Sequence, residues 1–322
     1  MGGFGRGAVL RAFGHPAVRR WMERHGMALG AARFVAGVEA EDALRVARAL
    51  LASGRRVSIT YLGEYAADPA AAQAAAQTYI DLLEAARRRG LQVGLSIKLT
   101  QLGLDLGRDL CLANARRVLA AAAECGALVE IDMEDSARVD GILSAFETLV
   151  AEYPRLGLCL QAYLHRTEAD VRRLAPLRPR IRLVKGAYAE PGTVALTDRG
   201  SIDRRYLELA RRLLDAGAVL AAASHDRRLL EAVLAEVRRR GLDRDGYELQ
   251  MLRGIHLRLQ EELVRAGHPL RVLVVYGREW YPWFVRRLAE RPANVGMLLR
   301  NLLLRPAGPP RQGILPPRRS RR

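Results

Sequence analysis

The chain has 322 residues, 50% of them hydrophobic, which is enough to bury the core of one large α/β domain or of two smaller ones. The formal net charge is +17, but the basic residues are 50 arginines and two lysines spread along helical segments, so solvated helix faces explain this charge more simply than nucleic acid or an anionic membrane does. No apolar run reaches the ~18 residues of a membrane span, and we expect no secretory signal. The three cysteines are scattered and form no metal or redox motif, and this use of cysteine favours a reducing cytosol.

Short apolar runs alternate with amphipathic stretches along the chain, and glycine often follows a stretch, as expected at a helix C-terminus. Eight runs are predicted as strands: Val57–Leu62, Val93–Leu99, Leu128–Met133, Gly157–Tyr163, Ile181–Tyr188, Val219–His225, Tyr247–Leu252 and Val272–Tyr276. The clearest helices between them are Ala70–Arg89, Asn114–Glu124, Tyr206–Ala216 and Arg227–Arg240. Strict alternation with continuous apolar strands predicts an α/β fold with a parallel sheet covered by helices.

Eight such units favour a closed, distorted (βα)8 TIM-like barrel over an open sheet. No Gly-x-Gly-x-x-Gly follows the first strand, which argues against a dinucleotide-binding fold. Three segments are predicted: residues 1–50 as an N-terminal helical arm or cap, residues 51–304 as the barrel, and residues 305–322 as a basic, disordered tail. Helices are expected in the arm at Val18–Gly26 and Glu41–Leu51.

Active sites of such barrels lie at the carboxyl ends of the strands, and polar residues concentrate there in this sequence. Both lysines of the chain, Lys98 and Lys185, belong to predicted strands, where a buried ammonium is costly unless it meets an anion. Together with Arg182, Arg286 and Arg287 they predict an anionic ligand, such as a carboxylate or a phosphate-bearing cofactor. The sequence shows neither a metal-ligand cluster nor a Gly-x-Ser-x-Gly nucleophile, which favours an organic cofactor.

Nine motifs occupy these strand ends in chain order. They are Tyr61-Leu62-Gly63-Glu64, Ser96-Ile97-Lys98-Leu99, Ile131-Asp132-Met133-Glu134, Leu160-Gln161-Ala162-Tyr163, Arg182-Leu183-Val184-Lys185-Gly186-Ala187-Tyr188, Ser224-His225-Asp226, Glu248-Leu249-Gln250-Met251-Leu252, Tyr276-Gly277-Arg278-Glu279-Trp280-Tyr281 and Val285-Arg286-Arg287-Leu288. With them the chain resembles the proline dehydrogenase family, flavoenzymes with a distorted (βα)8 barrel, from about Phe34 to Leu304. The resemblance is to the short monofunctional bacterial type. It implies non-covalent FAD, oxidation of L-proline to Δ1-pyrroline-5-carboxylate by hydride transfer to flavin N5, and electron transfer to a membrane quinone.

The resemblance also implies a role for each matching residue. Asp132 and Arg182 are expected to be catalytic, with Arg182 beside flavin N5. The residues expected to bind substrate are Lys98, Arg286, Arg287, Tyr188, Leu252, Leu273 and Glu64. Among them, Arg286 and Arg287 would hold the carboxylate, assisted by Lys98, and Glu64 would pair with one of these arginines. The residues expected to contact FAD are Met133, Gln161, Arg182, Lys185, Gly186, Ala187, Ser224 and His225, and no metal is expected.

Three positions depart from the family pattern. Leu273 and Trp283 stand where tyrosine is usual, and Thr60 stands where aspartate is usual. In relatives, a residue smaller than tyrosine at the position of Leu273 is associated with tolerance of 4-hydroxyproline as substrate. A substituted proline or another cyclic imino acid is therefore an alternative substrate. A non-enzymatic nucleic-acid binder is the alternative from a different class. We expect a cytoplasmic protein whose basic tail contacts the inner face of the cell membrane, with no specific nucleic acid as partner.

Overall fold

A computed structural model describes residue 13 and residues 15–290, without the side chains of Arg286 and of residues 288–290. Phe34–Trp280 form one compact unit, and the described parts of residues 1–33 and 281–322 form a second. The first unit is a closed barrel of eight parallel strands in chain order, in which β8 pairs with β1, so the predicted fold class is confirmed. The predicted tail, residues 305–322, lies outside the described residues.

The strands of the barrel are β1 Arg56–Tyr61, β2 Val93–Ile97, β3 Val129–Ile131, β4 Leu156–Gln161, β5 Arg180–Val184, β6 Val219–Ala223, β7 Tyr247–Leu252 and β8 Leu270–Tyr276. The α-helices of the described chain are α1 Pro16–His25, α2 Ala40–Ala52, α3 Pro69–Arg88, α4 Arg108–Glu124, α5 Val139–Glu152, α6 Thr167–Leu174, α7 Arg199–Asp215, α8 Arg227–Arg239, α9 Leu257–Arg265 and α10 Trp280–Glu290.

The helix α3 shows how local sequence sets these elements. The Asp68 carboxylate accepts a hydrogen bond from the Ala71 amide at 2.8 Å, and Pro69 occupies the first turn, where its missing N–H costs nothing. The buried face of α3 includes Tyr79, which packs with the barrel core. Gly90 follows the helix with a φ of +66°, a conformation that glycine adopts without strain.

The region before the barrel contains two described helices. In the second compact unit, α1 begins after His15, whose Nδ1 accepts a hydrogen bond from the Ala17 amide at 3.3 Å. In the barrel unit, α2 packs against β1 and β8, so part of the segment predicted as an arm covers the barrel wall. The predicted boundaries at residues 50 and 304 stay predictions.

Six of the eight predicted strands extend one to four residues beyond the observed carboxyl ends, and those ends are corrected here. The chain leaves the β2 ladder after Ile97 and the β5 ladder after Val184, whereas strands were predicted to reach Leu99 and Tyr188. In a parallel barrel, residues beyond the ladder are released from strand pairing and form the loops at the mouth. Lys98 and Leu99 beyond β2 are buried, whereas residues 185–188 beyond β5 are half-buried. The apolar composition of these segments therefore reflects packing at the mouth rather than continued strand pairing.

The interior of the barrel is more polar than continuous apolar strands suggest, because alternate residues of several strands carry charges inward. Glu248 is fully buried and accepts hydrogen bonds from Arg271 at 2.7 and 3.1 Å, and from Arg180. Burial alone would raise the pKa of Glu248, but the attraction of Arg271 and Arg180 outweighs it and lowers that pKa to about 2. A Cβ at Gly94 would lie 3.2 Å from the Arg271 guanidinium and 2.7 Å from the Leu128 carbonyl oxygen, so glycine makes room for this ion pair.

Candidate active site

The site predicted from the sequence lies at the carboxyl ends of the strands, immediately beyond the ladder. Lys98 follows β2 and Asp132 follows β3. Ser224 and His225 follow β6. Arg182, by contrast, lies within β5 and is almost fully buried. The strand order therefore brings residues from distant parts of the chain to one end of the barrel.

Arg182 is the centre of a hydrogen-bonded cluster inside the barrel. Its Nε donates to Gln250 Oε1 at 2.7 Å, and its Nη1 donates to Ser96 Oγ at 2.7 Å and to Asp132 Oδ1 at 2.6 Å. Its Nη2 donates to the fully buried Glu130. Burial alone would lower the pKa of Arg182, but the attraction of Glu130 and Asp132 outweighs it and raises that pKa. The guanidinium is thus a fixed positive charge whose orientation is set by partners on or just beyond three other strands, β2, β3 and β7.

Asp132 lies between two cations. Lys98 Nζ is 3.8 Å from Asp132 Oδ2, and Arg182 binds Oδ1 of the same carboxylate. Ser96 Oγ also donates a hydrogen bond to Oδ1 at 2.6 Å. Only 8% of Lys98 is exposed, so its ammonium is held in a low-dielectric environment where its charge acts strongly on a neighbouring anion. Asp132 is therefore the anion that accompanies the buried Lys98 ammonium within the protein, and the predicted anionic ligand stays a prediction.

The residues expected to contact a cofactor at the ends of β4 and β5 are themselves in contact. Gln161 Nε2 donates to the Glu134 carbonyl at 2.9 Å, and Gln161 Oε1 accepts from the Ala187 amide at 3.2 Å. Gly186 has a φ of +135°, and a Cβ there would lie 2.2 Å from the Tyr163 ring. Glycine is therefore required at this position by the protein's own packing.

Further along the mouth, Lys185 bridges to the end of β6. Its Nζ lies 2.5 Å from Asp203 Oδ1 and 3.2 Å from Asp226 Oδ2. The Asp226 amide donates to Ser224 Oγ at 3.1 Å, which connects two of the predicted cofactor residues through one aspartate. Lys185 remains 34% exposed, so a cation is available at this part of the mouth even though two carboxylates accompany it.

The predicted wall of the substrate site is formed by neighbouring strands. Leu252 and Leu273 are register partners on β7 and β8. Leu273 is the one residue of β8 that is not buried. His225 Nε2 accepts a hydrogen bond from the Leu252 amide at 2.9 Å, so its ring proton lies on Nδ1.

The remaining predicted residues are placed as follows. Met133 is buried directly after Asp132, Glu64 is half-buried after β1, and the Tyr188 carbonyl accepts a hydrogen bond from the Tyr163 hydroxyl at 3.2 Å. Arg287 is half-buried on α10, with its guanidinium 5.5 Å from the centre of the Trp283 ring. The side chain of Arg286 lies outside the described residues, so its predicted contact with a carboxylate stays a prediction.

Sequence reasoning did not single out Glu134, although it ends the motif that contains Asp132. Its carboxylate is fully buried and accepts hydrogen bonds from the amide of Thr100, at 3.1 Å, and from the hydroxyl of Thr100. Burial, with a smaller contribution from the nearby Glu64 charge, raises its pKa to about 7 against the lowering effects of Thr100 and Lys98. No local sequence signal marks this residue, because its contacts are with Thr100 from another loop.

The charge and shape at the mouth suit an anionic, planar ligand. Three cations lie at this end of the barrel, the buried Lys98 and Arg182 and the partly exposed Lys185. The three alanines 221–223 of β6, together with Gly186 and Ala187 beyond β5, make one side of the barrel end small. A flat ring system with an anionic tail is compatible with this combination of small residues and cations.

Two further observations concern the described part of the chain only. Its histidines, cysteines and carboxylates form no group of three or more that could hold a metal ion. None of its helices is both long enough and apolar enough to cross a membrane.

The chain is similar to known proteins in both sequence and structure. The sequence model of the proline dehydrogenase family matches residues 43–300. A proline dehydrogenase of Deinococcus radiodurans is 41% identical over 303 residues, which are 92% of this chain and 97% of that protein. Proline dehydrogenase 1 of Bacillus subtilis is 38% identical over 284 residues, which are 88% of this chain and 94% of that protein.

Among solved structures, proline utilization A of Bdellovibrio bacteriovorus, inactivated by N-propargylglycine, matches with a TM-score of 0.77 and 23% identity. The match covers 84% of this chain but only 33% of that longer protein, and at this identity it supports the fold alone.

Proposed function

The chain belongs to the proline dehydrogenase family, and from this premise we propose that it oxidises L-proline to Δ1-pyrroline-5-carboxylate at the mouth of its barrel, with FAD as cofactor. The observation that carries the proposal is the buried cluster of Arg182, Asp132 and Lys98 at the strand ends. As a member of this family the protein is an enzyme of proline catabolism, which sets aside the non-enzymatic nucleic-acid binder.

The cofactor would be held by residues at the ends of β3 to β6. In this proposal Met133, Gln161, Ala187, Ser224 and His225 contact FAD, together with Arg182, Lys185 and Gly186. Lys185 contributes a partly exposed cation suited to a phosphate, and Gly186 brings backbone close to the ring system. FAD, when bound, supplies at N5 the acceptor for the hydride that leaves the proline carbon next to nitrogen.

The role of Arg182 follows from its fixed geometry. A reaction that delivers negative charge to one place is favoured by a positive charge already oriented there, because no reorganisation is then needed. Arg182 is held by Gln250, Ser96, Asp132 and Glu130, so its orientation is set before substrate binds. We assign to it the stabilisation of charge that accumulates on the cofactor, and to Asp132 the orientation of both Arg182 and Lys98.

Substrate binding is assigned to a second group of cations. Arg286 and Arg287 would pair with the proline carboxylate, since guanidinium matches a carboxylate bidentately, and Lys98 would assist as a point charge. Glu64 would pair with one of these arginines, and Tyr188, Leu252 and Leu273 would contact the ring. Binding the carboxylate and the ring at separate places orients the carbon next to nitrogen for transfer.

A second substrate class is favoured by one observation. Leu273 is the partly exposed residue of β8 and is paired with Leu252, at a position where the family usually carries tyrosine. Leucine lacks the phenol ring, so a 4-hydroxyproline or another substituted cyclic imino acid is the second candidate substrate.

The electron acceptor is proposed to be a membrane quinone, reached by peripheral contact of a cytoplasmic protein with the inner face of the cell membrane. The support is compositional: residues 309–322 contain five arginines and four prolines, and basic segments bind anionic lipid surfaces.

Steady-state turnover tests the proposal. The protein supplied with FAD and an artificial electron acceptor should form pyrroline-5-carboxylate from L-proline. Arg182→Lys keeps the charge but cannot reproduce the four hydrogen bonds, so kcat should fall at least about 100-fold, as for loss of one oriented donor in other enzymes. Arg211→Lys, at an exposed ion pair with Glu236, is the matched control and should leave kcat unchanged. Equal kcat values for the two variants would refute the role of Arg182.

A further inference from the structure

Glu134 links loops that follow four different strands. It lies beyond β3, and its carboxylate accepts from the amide and hydroxyl of Thr100, which lies beyond β2 and is 1% exposed. Its carbonyl accepts from Gln161 at the end of β4, and Gln161 in turn accepts from the Ala187 amide beyond β5. One buried residue thus connects loops that the proposed function assigns to substrate and to cofactor.

Thr100 extends this connection to the loop between β1 and α3, residues 62–68. Thr100 Oγ1, whose hydrogen is donated to Glu134, accepts from the Tyr65 amide at 3.3 Å, and the Thr100 carbonyl accepts from the Ala66 amide at 3.0 Å. Tyr65 has a φ of +56°, a left-handed conformation that costs a non-glycine residue free energy and persists only when its surroundings enforce it. The residue that precedes it is Glu64.

We propose that Glu134 is a positioning residue, which acts through Thr100 to hold the loop of residues 62–68, and hence Glu64, in the conformation that binds substrate. The inference rests on the proposed function, because it concerns the residue expected to pair with a substrate-binding arginine. Glu134 acts through Thr100 and is not proposed to contact substrate.

The direction of the hydrogen bonds makes the connection from Glu134 through Thr100 to Tyr65 sensitive to the protonation of Glu134. An ionised Glu134 accepts the amide and hydroxyl hydrogens of Thr100, which leaves both lone pairs of Thr100 Oγ1 free, one of them for the Tyr65 amide. A protonated Glu134 donates its own hydrogen to Thr100 Oγ1, so the Thr100 hydroxyl hydrogen loses its carboxylate acceptor and the orientation in which Oγ1 accepts from the Tyr65 amide is no longer fixed. The charged groups that act on Glu134 are Lys98 beyond β2 and Glu64 beyond β1. The Cys111 thiol of α4 and the Tyr65 hydroxyl also face it and are both neutral near pH 7, because burial raises the pKa of each. The Glu134 pKa of about 7 places the change near neutral pH.

We expect the hydrogen bonds that fix the loop of residues 62–68 to weaken as pH falls from about 8 to about 6, since the ionised fraction of Glu134 decreases over this range. Losing one hydrogen bond worth about 1 kcal/mol corresponds to about a fivefold increase in the KM for proline. A change in loop position alters binding more than the chemical step, so kcat should change by less than about twofold.

Glu134→Gln and Thr100→Val test the inference independently, so that a folding defect in one leaves the other usable. Glu134→Gln should show, at all pH values, the KM that the native protein reaches only at low pH. Thr100→Val, which keeps the shape but lacks the hydroxyl, should do the same, whereas Thr100→Ser should restore the native pH dependence. Glu147→Gln, which removes a partly exposed carboxylate on α5 that pairs with Arg173 on α6, is the matched control and should follow the native protein.

Hydrogen exchange of the Tyr65 and Ala66 amides provides a readout that needs no substrate. These amides should exchange faster in Glu134→Gln and Thr100→Val than in the native protein at about pH 8, with the difference shrinking at about pH 6. Native exchange and a native KM profile in both variants would overturn the inference. A native protein that oxidises no proline would instead overturn the proposed function, and the exchange data would still decide whether Glu134 holds the loop.

Discussion

Replacing Glu248 by glutamine tests whether the charged layer inside the barrel stabilises the fold. Glu248 is fully buried and contacts three arginines, of which Arg271 is 9% exposed and Arg180 nearly as buried. Glutamine keeps the size of the side chain and one hydrogen-bond acceptor but removes the charge. The variant therefore leaves buried guanidinium groups with one carboxylate fewer.

The free energy of unfolding that Glu248→Gln loses follows from this geometry. Removing one partner of a buried ion pair leaves an uncompensated buried charge and costs about 3–5 kcal/mol. For a domain of this size, each kcal/mol lowers the melting temperature by about 2–4 °C, so a cost at the low end still lowers it by about 6–12 °C. Because the folded pKa of Glu248 is depressed, its stabilisation is present above the unfolded pKa and disappears as pH falls towards about 2.

Thermal unfolding followed by circular dichroism measures both effects. Glu147→Gln breaks an ion pair with Arg173 whose side chains are 31% and 44% exposed, and such a surface pair contributes at most about 1 kcal/mol. The difference in melting temperature between the native protein and Glu248→Gln should shrink as the medium is acidified below about pH 4.5. If Glu248→Gln melts no lower than Glu147→Gln at neutral pH, the buried layer does not stabilise the barrel in the way described.

Three further predictions concern the proposed site. Arg286→Met should weaken proline binding at least about tenfold, since a charged hydrogen bond contributes about 1.5–3 kcal/mol, whereas Arg240→Met, which removes ion pairs with Glu236 and Asp215, should not. Comparable affinities in binding titrations of the two variants would refute the carboxylate assignment. Leu273→Tyr should shift the ratio of kcat/KM towards proline and against 4-hydroxyproline by about tenfold, and a flat ratio would show that this residue does not set ring specificity. Deleting residues 309–322 should lower the affinity for anionic vesicles by about tenfold or more, because each arginine near the vesicle surface contributes about 1 kcal/mol. Unchanged sedimentation with vesicles would exclude this segment as the membrane contact.

The fold could be predicted because its signal is repeated eight times. Each unit pairs a short apolar run with an amphipathic helix, and errors of a few residues at individual ends do not change the count. The ends themselves were predicted too long at most strands, as at β5, where residues 185–188 are half-buried and lie beyond the paired strand. Burial is what hydrophobic patterning reports, and backbone pairing is decided by neighbouring strands that a local window does not include.

The sequence could predict which residues belong to the candidate site, but not the contacts that orient them. Lys98, Asp132 and Arg182 were identified from their motifs, but the contacts that orient Arg182 come from residues up to 86 positions away, such as Ser96. The burial of Glu134 depends on Thr100 from another loop and has no local sequence signal. Gly186 was expected to make room for a cofactor, and the structure adds the Tyr163 ring as a reason for glycine there. Long-range register, rather than composition, determines these contacts.

The most direct test of proline oxidation is the anaerobic half-reaction. The protein, loaded with FAD, is mixed with L-proline in one sample and with trans-4-hydroxy-L-proline in another, and the visible absorption of the oxidised flavin is followed without an electron acceptor. We expect proline to bleach this absorption, and bleaching by the hydroxylated ring alone would assign the site to the second substrate class. A protein that binds FAD but is bleached by neither compound, or that binds no FAD, would contradict the proposed function.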